Sequence, residues 1–123
     1  MTTDEMKSLV RQHFEDFVNR QDLEAADRNF AATFIDHDGP GQRTLGVAED
    51  KVMMSNMYRQ FRDLHVVVED LIAEGDRVAC RNTWRGTDAS SGKELVFSGI
   101  VVWRLDGGKI VERWASIQPP QAA

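Results

Sequence analysis

The segment Phe34-Ile35-Asp36-His37-Asp38 carries the side chain best suited to move a proton near neutral pH. The imidazole of His37 changes charge in that range, and the carboxylate of Asp36 or Asp38 could fix its tautomer. Alternatively, His37 only hydrogen-bonds the backbone of the loop before the third helix, because a histidine between two acids is common without catalysis. We therefore predict His37 as a catalytic acid/base, a role that depends on where its ring lies.

Arg81 and Arg113 are the charged candidates for contacting a ligand. A guanidinium that faces a cavity is costly to desolvate unless it has a carboxylate partner or an anionic ligand. Three glutamates could be that partner: Glu69, Glu94 and Glu112. If a ligand takes this place, it should carry a carboxylate, enolate or phenolate group. Alternatively, the arginines lie at the open end of the cavity and stay solvated.

Two side chains of the predicted third helix are further candidates for binding a ligand. Tyr58, the only tyrosine, either offers its phenol to a ligand carbonyl or packs in the core or at the rim. Met54 is a flexible apolar residue suited to lining a core or a pocket. No such role is predicted for His13, placed on a helix flank, or for His65, placed in a sheet-edge hydrogen bond.

The composition argues against several classes of function. A net charge of -5 disfavours nucleic-acid binding, which depends on clustered Lys and Arg. No secretion signal or long apolar run is present, so we expect no membrane contact and a cytoplasmic location. The three histidines are separated by 24 and 28 residues and no glycine-rich phosphate loop occurs, so neither a metal nor a cofactor is predicted. Cys80 is predicted to be a packed thiol.

Helices are expected to position these side chains in the first half of the chain. Apolar residues recur there at three- and four-residue spacing, which is typical of helices with one buried face. The predicted helices span about Asp4–Arg20, Leu23–Phe30 and Val47–Phe61. Thr2 and Glu5 fit a capping box at the start of the first helix.

The second half of the chain has the pattern of strands, because β-branched residues collect in four runs. These runs are Leu64–Ala73, Arg77–Gly86, Leu95–Leu105 and Ile110–Ile117. Tight-turn signals at Gly75-Asp76 and Asp106-Gly107-Gly108 predict antiparallel pairing. Helices followed by strands are typical of an α+β fold with helices covering one face of a curved sheet. We predict one domain over residues 1–123, with 119–123 as a loose tail.

Strand alternation predicts which side chains share a face, because successive side chains point to opposite sides. The candidate pocket rows are Ala79, Arg81 and Thr83, then Gly99, Val101 and Trp103, then Arg113, Ala115 and Ile117. The face opposite these rows is too apolar for water and carries Val78, Cys80, Asn82, Trp84, Ile100 and Val102. An apolar second face indicates a partner, so a homodimer through the outer sheet face is predicted.

Three stretches together resemble the SnoaL-like family of polyketide and ester cyclases. They are Phe34-Ile35-Asp36-His37-Asp38, residues 63–79, and Phe97-Ser98-Gly99-Ile100 with the following residues 106–112. The resemblance implies a nuclear-transport-factor-2-like fold, a cone-shaped barrel of strongly curved antiparallel sheet covered by three N-terminal helices. It also implies one pocket, with His37 at its mouth or wall, and a frequent back-to-back dimer through the sheet.

The resemblance also identifies positions where this chain departs from the family. The family's last strand carries His-Trp-Asp where this chain has Arg113-Trp114-Ala115, and Ala115 cannot act as the general acid/base that the aspartate provides. The Arg and Asp of the epoxide-hydrolase branch correspond to Arg81 and Thr83. The resemblance therefore implies that any chemistry is displaced toward His37 and the arginines.

These observations leave different functions open. The first is an acid/base enzyme of the cyclase, isomerase or hydrolase type that acts on an apolar carbonyl or phenolic compound. Its predicted ligand-binding residues are Met54, Tyr58, Arg81, Thr83, Val101, Trp103, Arg113 and Ala115. The second is a non-catalytic ligand-binding or accessory dimeric domain, suggested by Ala115 and Thr83. A third, a dimerising structural domain, requires a pocket filled by side chains.

Overall fold

The helices lie in the first half of the chain in a computed structural model that describes residues 1–123. Helix α1 (Thr3–Phe14) begins with the predicted capping box, in which the Thr2 hydroxyl accepts from the Glu5 N–H and the Glu5 carboxylate accepts from the Thr2 N–H. A π-helical turn (Glu15–Asn19) follows, where a continuous α-helix was predicted. The remaining helices are α2 (Glu24–Asn29) and α3 (Val47–Gln60).

Seven strands form one sheet. They are β1 (Phe30–Gly39), β2 (Arg43–Leu45), β3 (Phe61–Glu74), β4 (Arg77–Asp88), β5 (Glu94–Asp106), β6 (Lys109–Ile117) and β7 (Gln121–Ala122). The spatial order is β2-β1-β6-β5-β4-β3, and β7 pairs with the start of β5. All pairs are antiparallel except β1 with β6, which run parallel.

The α+β cone fold was predicted correctly, although the curved sheet is not closed into a barrel. The four predicted strands correspond to β3 to β6, and the predicted turn before β6 is a two-residue one, with Gly107 and Gly108 at φ 58° and 81°. Strand β1 was not predicted. The expected loose tail at 119–123 was also wrong, because Gln121–Ala122 pairs with β5 and the Ala123 N–H donates to the Glu94 carbonyl.

The core fills the space between the helices and the concave face of the sheet. It is one cluster of 21 buried residues, with Val10 and Phe14 of α1 packed in the same cluster as Val78, Val101 and Trp103 of the sheet. Burial of such side chains is the main source of stability in a chain of this size. None of the helices has the length and apolar composition needed to cross a membrane.

Candidate functional site

The concave face of the sheet is defined by the register of its strands. Trp103 of β5 pairs with Arg113 of β6 on one side and with Val78 of β4 on the other. The rows predicted on β5 and β6 therefore share the inward face. The row predicted on β4 was wrong, because the inward side chains of that strand are Val78, Cys80, Asn82 and Trp84. Ala79, Arg81 and Thr83 lie on the outer face.

The inward face encloses a cavity with two compartments between the sheet, α1 and α3. The outer compartment is about 210 Å³ and opens beside Asp38, Gly39 and Pro40; the other residues that line it are Asp36, Met53, Met54, Met57, Trp84, Phe97, Arg113 and Ile117. The smaller compartment, which we call the inner chamber, is about 30 Å³. Its walls are His13, Phe14, Phe17, Val18, Asp50, Met53, Met54, Trp84, Trp103 and Arg113.

A buried ion pair joins β1 to β6 on the cavity wall. Nη1 of Arg113 donates to both carboxylate oxygens of Asp36, at 3.0 and 3.1 Å. Asp36 is fully buried and Arg113 is only 9% exposed, and the guanidinium also lies over the ring of Trp103. The Asp38 N–H donates to Asp36 as well. Arg113 is thus paired with an aspartate, and none of the three glutamates proposed as partners fills that role.

Asp50 of α3 adds a second carboxyl group to this pair. It is 3% exposed and lines the inner chamber. Burial and, next in size, the neighbouring negative charge of Asp36 together raise the pKa of Asp50 to about 7, while the charge of Arg113 opposes the shift. The nearby Asp36 carboxylate therefore favours the protonated form of Asp50. Asp50 can therefore both take up and release a proton near neutral pH.

His13 of α1 is buried at the inner chamber and does not lie on an exposed helix flank as predicted. It stacks on Phe17 and packs against Phe30 and Trp103. Burial in this aromatic environment lowers the pKa of His13 to about 3, with smaller contributions from the charges of Arg113 and Arg28. The ring is neutral at physiological pH and can contribute hydrogen bonds but no charge.

His37 lies on the outer face of the sheet, so its predicted placement at the mouth or wall of the cavity was wrong. Because side chains alternate along β1, the inward position belongs to Asp36 and the next side chain points away. Nε2 of His37 is 2.8 Å from the carboxylate of Glu112, and the ring stacks on Trp114. These contacts hold the pKa of Glu112 below its usual value, together with Arg104. A catalytic role for His37 in the cavity has no geometric support.

The other predicted ligand-binding residues divide between the two faces. Met54, Trp103 and Arg113 line the cavity, whereas Arg81 is exposed on the outer face and donates to Asp70 at 2.7 Å. Thr83 shares that outer face. The faces of β4 were predicted the wrong way round because the strand carries polar residues on both of them, so alternation alone does not show which face is buried.

Three predicted residues lie close to the cavity without lining it. The hydroxyl of Tyr58 donates to the carbonyl of Phe17 in the π-helical turn, and burial raises the pKa of Tyr58 to about 12. Val101 is fully buried in the core. Ala115 lies between two cavity residues on β6, and its N–H donates to the Asp38 carboxylate at 2.7 Å. An acid from β1 thus contacts the backbone at the position where the family has its aspartate.

Sequence reasoning missed Asp50 and His13, although both interrupt apolar stripes. Asp50 lies three residues after Val47 and four before Met54, and His13 lies three after Val10 and four before Phe17. A polar residue at the buried position of a helix needs a partner or a ligand, and that is the signal that could have identified them. No group of three or more His, Cys, Asp and Glu side chains is arranged to hold a metal ion.

The bent sheet, its covering helices and the acid cluster on its concave face define a cone with buried carboxyl groups in its cavity. A model of the SnoaL-like polyketide cyclase family matches residues 8–119 of the chain. The chain therefore belongs to the SnoaL-like polyketide cyclase family. A comparison with curated protein sequences finds no match.

Solved structures of similar fold agree with this family. A candidate polyketide cyclase from Acidithiobacillus ferrooxidans is 25% identical, with a TM-score of 0.80 over 96% of this chain and 92% of that one. A candidate polyketide cyclase from Bacillus cereus is 28% identical, with a TM-score of 0.79 over 88% of this chain and 71% of that one. AclR, a candidate hydroxylase from Streptomyces galilaeus, is 24% identical, with a TM-score of 0.85 over 95% of this chain and 91% of that one. At this level of identity the similarity supports the fold alone.

Proposed function

We propose that this protein is an acid/base enzyme of the cyclase or isomerase type, with Asp50 as the group that moves the proton. The observation that carries the proposal is the cluster of Asp36, Arg113 and Asp50 on the cavity wall, in which burial raises the pKa of Asp50 to about 7. A carboxyl group tuned in this way is half ionised at neutral pH and works efficiently in both directions of proton transfer.

The shape and lining of the outer compartment favour an apolar carbonyl or phenolic compound as the substrate. Three methionines and two aromatic rings form much of the wall: Met53, Met54, Met57, Trp84 and Phe97. Polar groups are few and lie on the side of Asp36 and Arg113. An apolar pocket with a small number of converging polar groups is typical of a site that orients a small organic molecule.

The chemistry follows from the charges of the cluster. In its ionised form, Asp50 removes a proton from a carbon next to a carbonyl. The C–H electron pair becomes the C=C bond of the enolate, and the π pair of the carbonyl moves onto its oxygen. Both hydrogen bonds from Arg113 to Asp36 come from Nη1, so the other guanidinium N–H groups are available to a developing enolate. The protonated Asp50 then returns the proton. Asp36 holds Arg113 in place and keeps the site neutral overall when Asp50 is protonated.

Exchange of α-protons tests this proposal without knowledge of the natural substrate. Small ketones such as 1-tetralone and 2-tetralone in D₂O should incorporate deuterium faster with the protein, followed by proton NMR. We expect Asp50→Asn to lose about 100-fold or more of this rate, because general acid/base groups contribute on that order. The wild-type rate should rise with pH and level off above about 7, where Asp50 is ionised.

The matched control for this experiment is Asp70→Asn, which removes an exposed carboxylate on the outer face. Its exchange rate should equal that of the wild type. Ketones that bind, detected by a rise in Tm, without any exchange would contradict the enzyme proposal and favour the alternative of a non-catalytic ligand-binding domain. An unchanged rate in Asp50→Asn would instead contradict the role given to Asp50.

We also propose a homodimer through the outer sheet face. Support comes from an apolar row that crosses four strands at matching register: Ile72, Ala79, Val102 and Trp114. Ile72 is 69% exposed, and Ile100 is exposed in the adjacent row. A continuous apolar patch of this kind on a sheet is typical of a protein interface.

Analytical ultracentrifugation at micromolar concentration tests the dimer. We expect a dimer for the wild type and a monomer for Ile72→Lys, because a lysine covered by the partner at this position would lose its hydration. Val52→Lys is the control, since Val52 is similarly exposed, at 61%, but lies on α3 away from the sheet face. A monomeric wild type, or equal effects of both lysines, would contradict the proposal.

A further inference from the structure

The inner chamber is small enough to select a single chemical group. Its volume of about 30 Å³ is close to the volume that one water molecule occupies in the liquid. It shares Met53, Met54, Trp84 and Arg113 with the outer compartment, so the two are adjacent. A ligand in the outer compartment can therefore place one oxygen-sized group in the chamber while its apolar part stays outside.

Four residues of the chamber wall carry a buried polar atom that bonds nothing in the protein. These atoms are Nε2 of His13, Nε1 of Trp84, Nε1 of Trp103 and Oδ1 of Asp50. A buried polar atom without a partner costs about 1–3 kcal/mol, and protein interiors contain few of them. Their occurrence on one chamber wall indicates that a ligand atom completes the hydrogen bonding.

All three nitrogens of this set are hydrogen-bond donors. The amide nitrogen of Asn29 lies 2.9 Å from Nδ1 of His13 and can only donate, so Nδ1 accepts. The single proton of the neutral ring is then on Nε2. The indole of Trp84 has only a donor. The indole of Trp103 is likewise only a donor, and it lies near the Cys80 thiol, where it counteracts the burial that raises the pKa of that thiol.

We propose that the inner chamber is an oxyanion site, in which His13 and Trp84 donate hydrogen bonds to the carbonyl oxygen of the substrate. This inference rests on the proposed function and narrows its substrate class to a ketone, or its enol or phenol equivalent. The oxygen of this compound is attached to one end of an apolar ring system. As Asp50 takes the α-proton, the electron pair of the C–H bond forms the C=C bond of the enolate and the carbonyl π electrons move to this oxygen. The two donors and the charge of Arg113 stabilise the enolate until the proton returns to carbon.

A neutral histidine is well suited to this role. An imidazole with a pKa near 3 stays uncharged at all working pH values, so it donates a hydrogen bond without surrendering its proton or repelling Arg113. The aromatic rings around it also keep water out of the hydrogen bond, which strengthens the interaction in a low dielectric. His13 and Trp84 are thus assigned to holding the oxygen, and Asp50 to moving the proton.

Binding of 2-naphthol and naphthalene tests the oxyanion site without requiring turnover. The two probes have the same ring system and differ by one oxygen, and both can be followed by fluorescence. We expect the wild type to bind 2-naphthol at least about tenfold more tightly than naphthalene, the effect of one or two buried hydrogen bonds. The bound naphthol should also ionise at a lower pH than free naphthol, because the donors favour its oxyanion.

The variants His13→Phe and Trp84→Phe should lose this preference for naphthol while still binding naphthalene. His13→Gln should retain much of it, because its amide N–H can replace Nε2–H. His65→Phe, at an exposed position of β3, is the matched control and should behave as the wild type. Urea unfolding of each variant separates a lost hydrogen bond from a lost fold.

Two results would overturn the oxyanion site. One is equal binding of naphthol and naphthalene by the wild type, which would mean that the chamber holds water and no ligand oxygen. The other is an unchanged naphthol preference in both His13→Phe and Trp84→Phe. These outcomes are independent of the proton-exchange experiment, because Asp50→Asn can abolish exchange while naphthol is still preferred, or the reverse.

Discussion

Arg113→Leu is expected to destabilise the protein by about 3–5 kcal/mol at pH 7, the usual effect of removing one partner of a buried ion pair. The variant leaves the Asp36 carboxylate fully buried beside the carboxyl group of Asp50, with no cation between them. Urea unfolding measures the change. The total stability of a domain is about 5–15 kcal/mol, so the loss would be a large fraction of the whole.

The protein itself contains a matched control for this prediction. Arg81 and Asp70 form a second arginine–aspartate pair at 2.7 Å, but their side chains are 57% and 56% exposed on the outer face. Arg81→Leu should therefore cost less than about 1 kcal/mol. The double variant Asp36→Leu with Arg113→Met should recover part of the loss, because it leaves no unpaired charge. Equal effects of Arg113→Leu and Arg81→Leu would contradict this account of the site.

The fold could be predicted because its signals repeat along the chain. The helices each have an apolar stripe, and the strands β3 to β6 are long and joined by turns such as Gly107-Gly108. Each of these features depends on many residues, so an error at one position does not change the result. Family resemblance then gave the way in which helices and sheet combine, and the family match over residues 8–119 supports it.

The site was harder to predict because it depends on single residues that break those patterns. Strand β1 buries Asp36 and exposes Ile35 at 38%, which is the reverse of what hydrophobicity predicts. Asp36 can be buried because Arg113 pairs with it across the parallel β1–β6 register. Such a contact joins residues 77 positions apart, and no local pattern reveals it. For the same reason His37, the neighbour of Asp36, was placed on the wrong face.

The missing aspartate at position 115 has a different meaning once this cluster is known. The sequence predicted that chemistry had moved to other residues, and a buried acid/base cluster is present, but it consists of Asp36, Asp50 and Arg113 and does not include His37. The two acids come from β1 and α3, where each occupies a buried position that an apolar side chain usually takes. A cavity can thus keep an acid/base group when the strand that usually supplies it has lost it.

Asp50→Asn is expected to stabilise the protein at pH 8 and to leave its stability unchanged near pH 4. In the folded protein the pKa of Asp50 is about 7. In the unfolded chain, where burial and the charge of Asp36 no longer act on the carboxyl group, its pKa is the ordinary 3.8. Between these values the folded state binds more protons than the unfolded state, so its stability falls as the pH rises through this range. Asparagine cannot ionise, and its neutral amide avoids the repulsion between two buried carboxylates.

The expected gain at pH 8 is on the order of 4 kcal/mol, since the pKa of Asp50 is raised from 3.8 to about 7 and one pKa unit corresponds to about 1.4 kcal/mol. Urea unfolding at pH 4, 6 and 8 measures the difference between variant and wild type, which removes the titrations common to both. Asp70→Asn, which removes a carboxylate that is 56% exposed on the outer face, should change the stability by less than about 1 kcal/mol. A flat difference for Asp50→Asn, or a less stable variant at pH 8, would show that Asp50 ionises normally. A gain in stability together with a loss of proton exchange would mean that the protein maintains a destabilising acid for its chemistry.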